Sequence, residues 1–131
     1  MLKLYLKVKI SSLKFVLENN ELYQSKSVGY LLTERQLEIE SVAEIQILFR
    51  DRYENDIDVS SITLEDLSIQ GYETCSQTIV TFEFETDHFE SPSLTAACSY
   101  KIIVTYQEKN IPCVNCQFIV TPGTIFLNFI K

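Results

Sequence analysis

The residues with the widest chemical range in this chain are its four cysteines. Cys113 and Cys116 stand with two residues between them in Ile-Pro-Cys-Val-Asn-Cys-Gln, which is the spacing of one zinc knuckle or of a dithiol redox pair. A closed zinc site needs four ligands, usually as two knuckles, and Cys75 and Cys98 are too far apart in the chain to form a second one. A thioredoxin-like pair needs its first cysteine at a helix N-terminus, where the dipole lowers the thiol pKa. Here Pro112 precedes the pair and Phe118-Ile119-Val120 follows it, which is strand sequence. Disulfides among Cys75, Cys98, Cys113 and Cys116, or thiols packed as small apolar groups, suit that setting better. Residues three apart on a strand face opposite sides, so a bond from Cys75 or Cys98 to the pair is expected in preference to Cys113–Cys116.

Two other groups invite a chemical reading. Asp51, Glu54, Asp56 and Asp58 offer carboxylate oxygens, but they lack the glycine-hinged Asp-x-Asp-x-Asp-Gly spacing that wraps a calcium ion, so a solvated loop is expected. The single histidine, His88, lies between Asp87 and Phe89, and adjacency in sequence does not make a catalytic dyad. It is expected in an exposed loop. The chain has no Gly-x-Ser-x-Gly, no phosphate-binding glycine loop and no pair of metal-spaced histidines. No catalytic residue, cofactor or metal is therefore expected.

The elements that must position these residues are strands. Leu2, Leu4, Leu6, Val8 and Ile10 alternate with Lys3, Tyr5, Lys7 and Lys9, the period of a half-buried strand. Residues 13–17 read as a second strand, and Asn19-Asn20 as a turn. Short extended pieces follow at 22–23 and 28–32, and residues 45–49 alternate again. The segment 33–42 is ambiguous: Thr33 with Gln36 resembles a helix capping box, while Leu37 and Ile39 fit a strand, which we favour. Residues 62–69 suggest a strand with a bulge or short helical turn near Glu65-Asp66. Val80, Phe82 and Phe84 mark one face of a strand over 78–85. Tyr100, Ile102, Val104 and Tyr106 mark another, joined through a turn at Glu108-Lys109-Asn110 to the cysteine segment. About eight strands at roughly ten-residue spacing, without a run of helices, indicate one antiparallel β-sandwich over residues 1–131, Ig-like or jelly-roll-like.

Composition bounds the function. A chain of 131 residues suffices for one domain with a core. A net charge of −7 with 11 Lys and Arg argues against sequence-independent nucleic-acid binding, which needs a basic face. No window reaches the roughly 20 apolar residues of a membrane helix. The lysine-bearing N-terminus lacks the apolar core and cleavage site of a signal peptide, so an intracellular or virion-associated protein is expected. The C-terminal run 124–131 is apolar on both faces: Ile125, Leu127 and Phe129 oppose Phe126, Asn128 and Ile130. It reads either as a covered central strand or as an interface docking on a neighbouring subunit through Ile125, Phe126, Leu127, Phe129 and Ile130.

The segment 43–61, with Ile45-Gln-Ile-Leu-Phe49 running into an Asp/Asn-rich turn and Val59-Ser60, together with Tyr100-Lys-Ile-Ile-Val104 and Gln117-Phe-Ile-Val120, resembles the immunoglobulin-like modules of phage and viral structural proteins. Asn55 stands where those modules usually carry a glycine. The resemblance implies a structural or attachment role with no catalytic residues. The expected function is accordingly a non-enzymatic protein-interaction module that self-associates in a homo-oligomer or virus-like particle. The alternative is a soluble binding domain that recognises a ligand or host protein through its acidic loops.

Overall fold

A computed structural model of the chain describes residues 21–122. The strands expected at 2–10 and 13–17, the Asn19-Asn20 turn and the C-terminal run 124–131 lie outside the described residues. The described part is built from short strands: β1 (Val28–Leu31), β2 (Gln36–Glu38), β3 (Glu44–Arg50), β4 (Asp56–Ile57), β5 (Leu67–Glu73), β6 (Ile79–Thr81), β7 (Glu83–Glu85), β8 (His88–Glu90), β9 (Ser99–Tyr106), β10 (Lys109–Ile111), β11 (Cys113–Val114) and β12 (Gln117–Thr121).

They form two facing sheets. One runs β11-β1-β3-β8-β7, with β4 also paired to β3; the other runs β2-β12-β9-β5-β6, with β10 also paired to β9. The sandwich is not purely antiparallel, because β11 joins β1 and β2 joins β12 in parallel, each at the edge of its sheet. The strand count exceeds the expected eight for local reasons. The alternation over 78–85 holds, with Phe82 buried and Ile79, Thr81, Glu83 and Glu85 exposed, but the run belongs to both sheets: β6 pairs with β5 and β7 pairs with β8. Phe82 is the crossing point. The segment expected as one strand after the β9 hairpin is likewise cut into β10, β11 and β12, by Pro112, which has no N–H to give, and by a turn at Asn115 with φ 56°.

The ambiguous segment contributes only β2, and Thr33 does not form a capping box. Its hydroxyl accepts instead from the Glu44 N–H at 3.4 Å. Near Glu65-Asp66 the chain makes one 3-10 turn, Leu64–Asp66, before β5.

Alternation fixes the core, since Tyr100, Ile102, Val104 and Tyr106 of β9 are all buried, as are Ile45, Ile47 and Phe49 of β3 and Phe118 and Val120 of β12. The Tyr100 and Phe118 rings stack with centroids 5.0 Å apart. Gly71 of β5 makes room in this layer: a Cβ there would sit 3.0 Å from Val80 Cγ2 and 3.3 Å from Phe82 Cε1. At the start of β9 the Tyr100 hydroxyl lies 3.2 Å from both Glu73 Oε2 and the Ala96 carbonyl oxygen four residues upstream. Burial first, and the Glu73 charge second, push this phenol up to about 12. It stays neutral and tethers the loop before β9, in the manner of the tyrosine corner of immunoglobulin-like sandwiches.

Candidate functional site

The two sheets present outer faces of opposite character. On the second sheet, the outward residues follow from the strand period: Gln36 and Glu38, Gln117 and Ile119, Ser99, Lys101 and Ile103, Ser68, Gln70 and Tyr72, Ile79 and Thr81. Register places Tyr72 beside Lys101 and Ile79, Gln70 beside Ile103 and Thr81, and Ile119 beside Ser99 and Gln36. Ile79, Ile103 and Ile119 are exposed at 47%, 38% and 50%, which is unusual for isoleucine and leaves several apolar side chains on one wall. Among these positions only Lys101 and Glu38 carry charge, in a chain whose net charge is −7. A depression of about 470 Å³ opens at one end of this face, lined by Arg35, Lys101, Gln117 and Ile119 among others.

The outer face of the first sheet is acidic. Glu44 stands directly opposite Glu90 and Glu90 opposite Glu83, so three carboxylates lie in one cross-strand row; Glu85 stands opposite His88. Like charges placed so are destabilising unless something compensates them. His88 does. Its Nδ1 is 2.9 Å from Asp87 Oδ1, and its Nε2 is 2.9 Å from Glu90 Oε2 and 4.0 Å from Glu44 Oε2. The hydrogen bond to Asp87, then that to Glu90, raises the imidazole pKa from 6.5 to about 9, against the smaller opposing effect of desolvation, so it is a cation at neutral pH. His88 is thus a half-buried strand residue and not the exposed loop residue expected from the sequence. The signal that was available is the spacing His88-x-Glu90, which puts both side chains on one face if the segment is extended.

The acidic loop is organised around one buried carboxylate. Asp51 Oδ1 accepts from the N–H groups of Tyr53 and Asn55 at 2.9 Å each, and Oδ2 accepts from Asn55 Nδ2 at 3.0 Å. Asn55 therefore holds the loop by its side chain where a glycine was the usual residue. Glu54 pairs with Lys26 at 3.3 Å, Asp56 with Arg50 at 3.6 Å, and Asp58 caps the Ser60 N–H at 3.1 Å. The four carboxylates face four different partners. Between β4 and β8 a cleft of about 410 Å³ has Leu48, Ile57, Phe84 and Phe89 on its walls and Asp56, Asp58 and Asp87 on its rim.

The cysteines are joined as Cys75–Cys98, with Cα atoms 6.0 Å apart, and Cys113–Cys116, with Cα atoms 5.6 Å apart. The expected cross-link from Cys75 or Cys98 to the later pair is not the one found. The reason is the Asn115 turn: β11 ends at Val114, so the alternation that would set Cys113 and Cys116 on opposite faces stops between them. Cys75–Cys98 ties the exit of β5 to the entrance of β9, beside a hydrogen bond from the Thr74 hydroxyl to the Ser99 carbonyl at 3.1 Å. The expected interface residues Ile125, Phe126, Leu127, Phe129 and Ile130 lie outside the described residues. No helix among the described residues is long and apolar enough to cross a membrane.

No protein-family model and no curated protein matches the chain. Solved structures do. The chain superimposes on the Escherichia coli adhesin FdeC with a TM-score of 0.56 at 14% identity, over 79% of this chain and 32% of that one. It superimposes on the Lin-41 filamin domain with a TM-score of 0.51 at 13% identity, over 78% of this chain and 98% of that one. At these identities the likeness shows the fold alone, an immunoglobulin-like β-sandwich.

Proposed function

We propose that the protein works by protein contact, as a structural module that self-associates in a homo-oligomer or a virus-like particle. The observation that carries this reading is the outer face of the β2-β12-β9-β5-β6 sheet, nearly uncharged and bearing exposed Ile79, Ile103 and Ile119 on an otherwise acidic chain. A face on which the outward residues of β2, β12, β9, β5 and β6 carry only one carboxylate, Glu38, and one lysine, Lys101, lets two copies of net charge −7 meet without strong repulsion. The apolar run containing Ile125, Phe126, Leu127, Phe129 and Ile130 follows β12 by only a few residues in the sequence, and we assign it to the same interface. Two disulfides suit an oxidising setting or the outside of a particle. The test is substitution of Ile103 and Ile119 together by lysine: self-association is expected to fall while the melting temperature holds, and association unaffected by the two lysines would contradict the assignment.

A second reading has its own support. The apolar cleft with its rim of Asp56, Asp58 and Asp87 fits an apolar residue flanked by basic ones, as an acidic-loop binding domain would require.

A further inference from the structure

We propose that Glu44, His88 and Glu90 form a binding site for one divalent transition-metal ion of the zinc type. The site does not depend on how the domain associates. Among the described residues this is the group whose donor atoms converge, all lying within 4.8 Å of one another. Its anchor is an imidazole nitrogen, which separates it from an ordinary patch of surface carboxylates.

The positions are set by the sheet and not by a loop. Glu44 and Glu90 are direct cross-strand partners of β3 and β8, and His88 stands two residues from Glu90 on the same face. A ligand set on paired strands keeps its geometry better than one on a turn. The ring is also oriented correctly. Asp87 Oδ1 is 2.9 Å from Nδ1 and holds that nitrogen in its N–H form, which turns Nε2 towards the two glutamates. This carboxylate–histidine arrangement supports most protein zinc ligands.

Distances agree with the size of the ion. Zinc sits about 2.0–2.2 Å from nitrogen and oxygen ligands, so ligand atoms in a tetrahedral site are about 3.4 Å apart. Nε2 is 2.9 Å from Glu90 Oε2 and 4.0 Å from Glu44 Oε2, which brackets that spacing, so closing on an ion changes each of these two distances by roughly half an ångström. On binding, Nε2 gives up its proton to solvent and presents its lone pair, and the ion takes over the compensation of the Glu44–Glu90–Glu83 row. Mixed imidazole and carboxylate donors select zinc, nickel or copper over magnesium or calcium. With three protein ligands the fourth position is left to water.

The test uses the whole chain, stripped of metal with EDTA, dialysed and assayed for free thiols so that no cysteine competes. Zinc chloride is then titrated by calorimetry and by thermal unfolding. The expected result is one ion per chain and a melting temperature that rises with zinc but not with magnesium. Affinity is expected to drop at least about tenfold in His88→Ala and in Glu90→Gln, and about tenfold in Asp87→Ala, which removes only the support of the ring. Zinc that leaves the melting temperature unmoved at millimolar concentration would overturn the proposal. So would binding that is equally strong in wild type and in both His88→Ala and Glu90→Gln, since the ion would then sit elsewhere.

Discussion

At the scale of single residues, the polar groups that matter are the ones the fold has drawn together. Asp87, Glu90 and Glu44 all favour the charged form of His88, so its pKa is about 9 in the folded protein against 6.5 for the free side chain. A base whose pKa is raised on folding stabilises the fold fully below its unfolded pKa, and the contribution is lost as pH rises through the folded value. The stability advantage of wild type over His88→Gln, measured by urea unfolding in EDTA, is therefore expected to be full below pH 6.5 and absent above about pH 9. A pH-independent difference would show that the imidazole acts through packing alone. Little of this was legible in the sequence. His88 and Glu90 are visible as neighbours, but Glu44 lies more than forty residues away and reaches them only through the register of β3 with β8. The buried Tyr100–Glu73 pair, which Ser76 completes by donating to Glu73 Oε1, was hidden for the same reason.

At the scale of elements, hydrophobic period was read correctly and its punctuation was not. The β9 alternation placed Tyr100, Ile102, Val104 and Tyr106 inward, as found. The turn after it was expected at Glu108-Lys109-Asn110. It falls instead at Gln107 and Glu108, with φ of 51° and 69°. Lys109 pairs with Tyr106 and Ile111 with Val104, so burial of Tyr106 and Ile111 fixes the register and the turn residues accept the left-handed conformation. Glycine has no such penalty, so Glu108→Gly is expected to stabilise the protein by about 1 kcal/mol in denaturant unfolding. A loss of stability would mean that the Glu108 side chain holds the turn. The crossing of the 78–85 run between sheets was equally invisible, because alternation reports which side is buried and not which neighbour is paired. The Cys75–Cys98 bond spans 23 residues and staples β5 to β9. By loop-closure entropy, replacing both cysteines with serine is expected to cost about 3 kcal/mol, and losing Cys113–Cys116, with a separation of 3, clearly less. Equal losses would indicate that local packing and not chain entropy dominates.

At the scale of the whole molecule, the sandwich separates charge. One outer face carries the Glu44–Glu90–Glu83 row and His88; the other is almost free of charge and holds the exposed isoleucines. Composition gave the class of architecture, since alternating runs without helix signals leave few options, but it could not give this division, which depends on strand order. The division is what makes a contact face identifiable. The most direct measurement of the central claim is weight-average mass by light scattering over a wide range of protein concentration. The account predicts a mass that climbs above the 15.1 kDa of one chain, and that returns to it in the Ile103→Lys/Ile119→Lys variant and on deletion of residues 124–131 with the melting temperature preserved. A mass that stays at one chain at the highest concentration reached would contradict it.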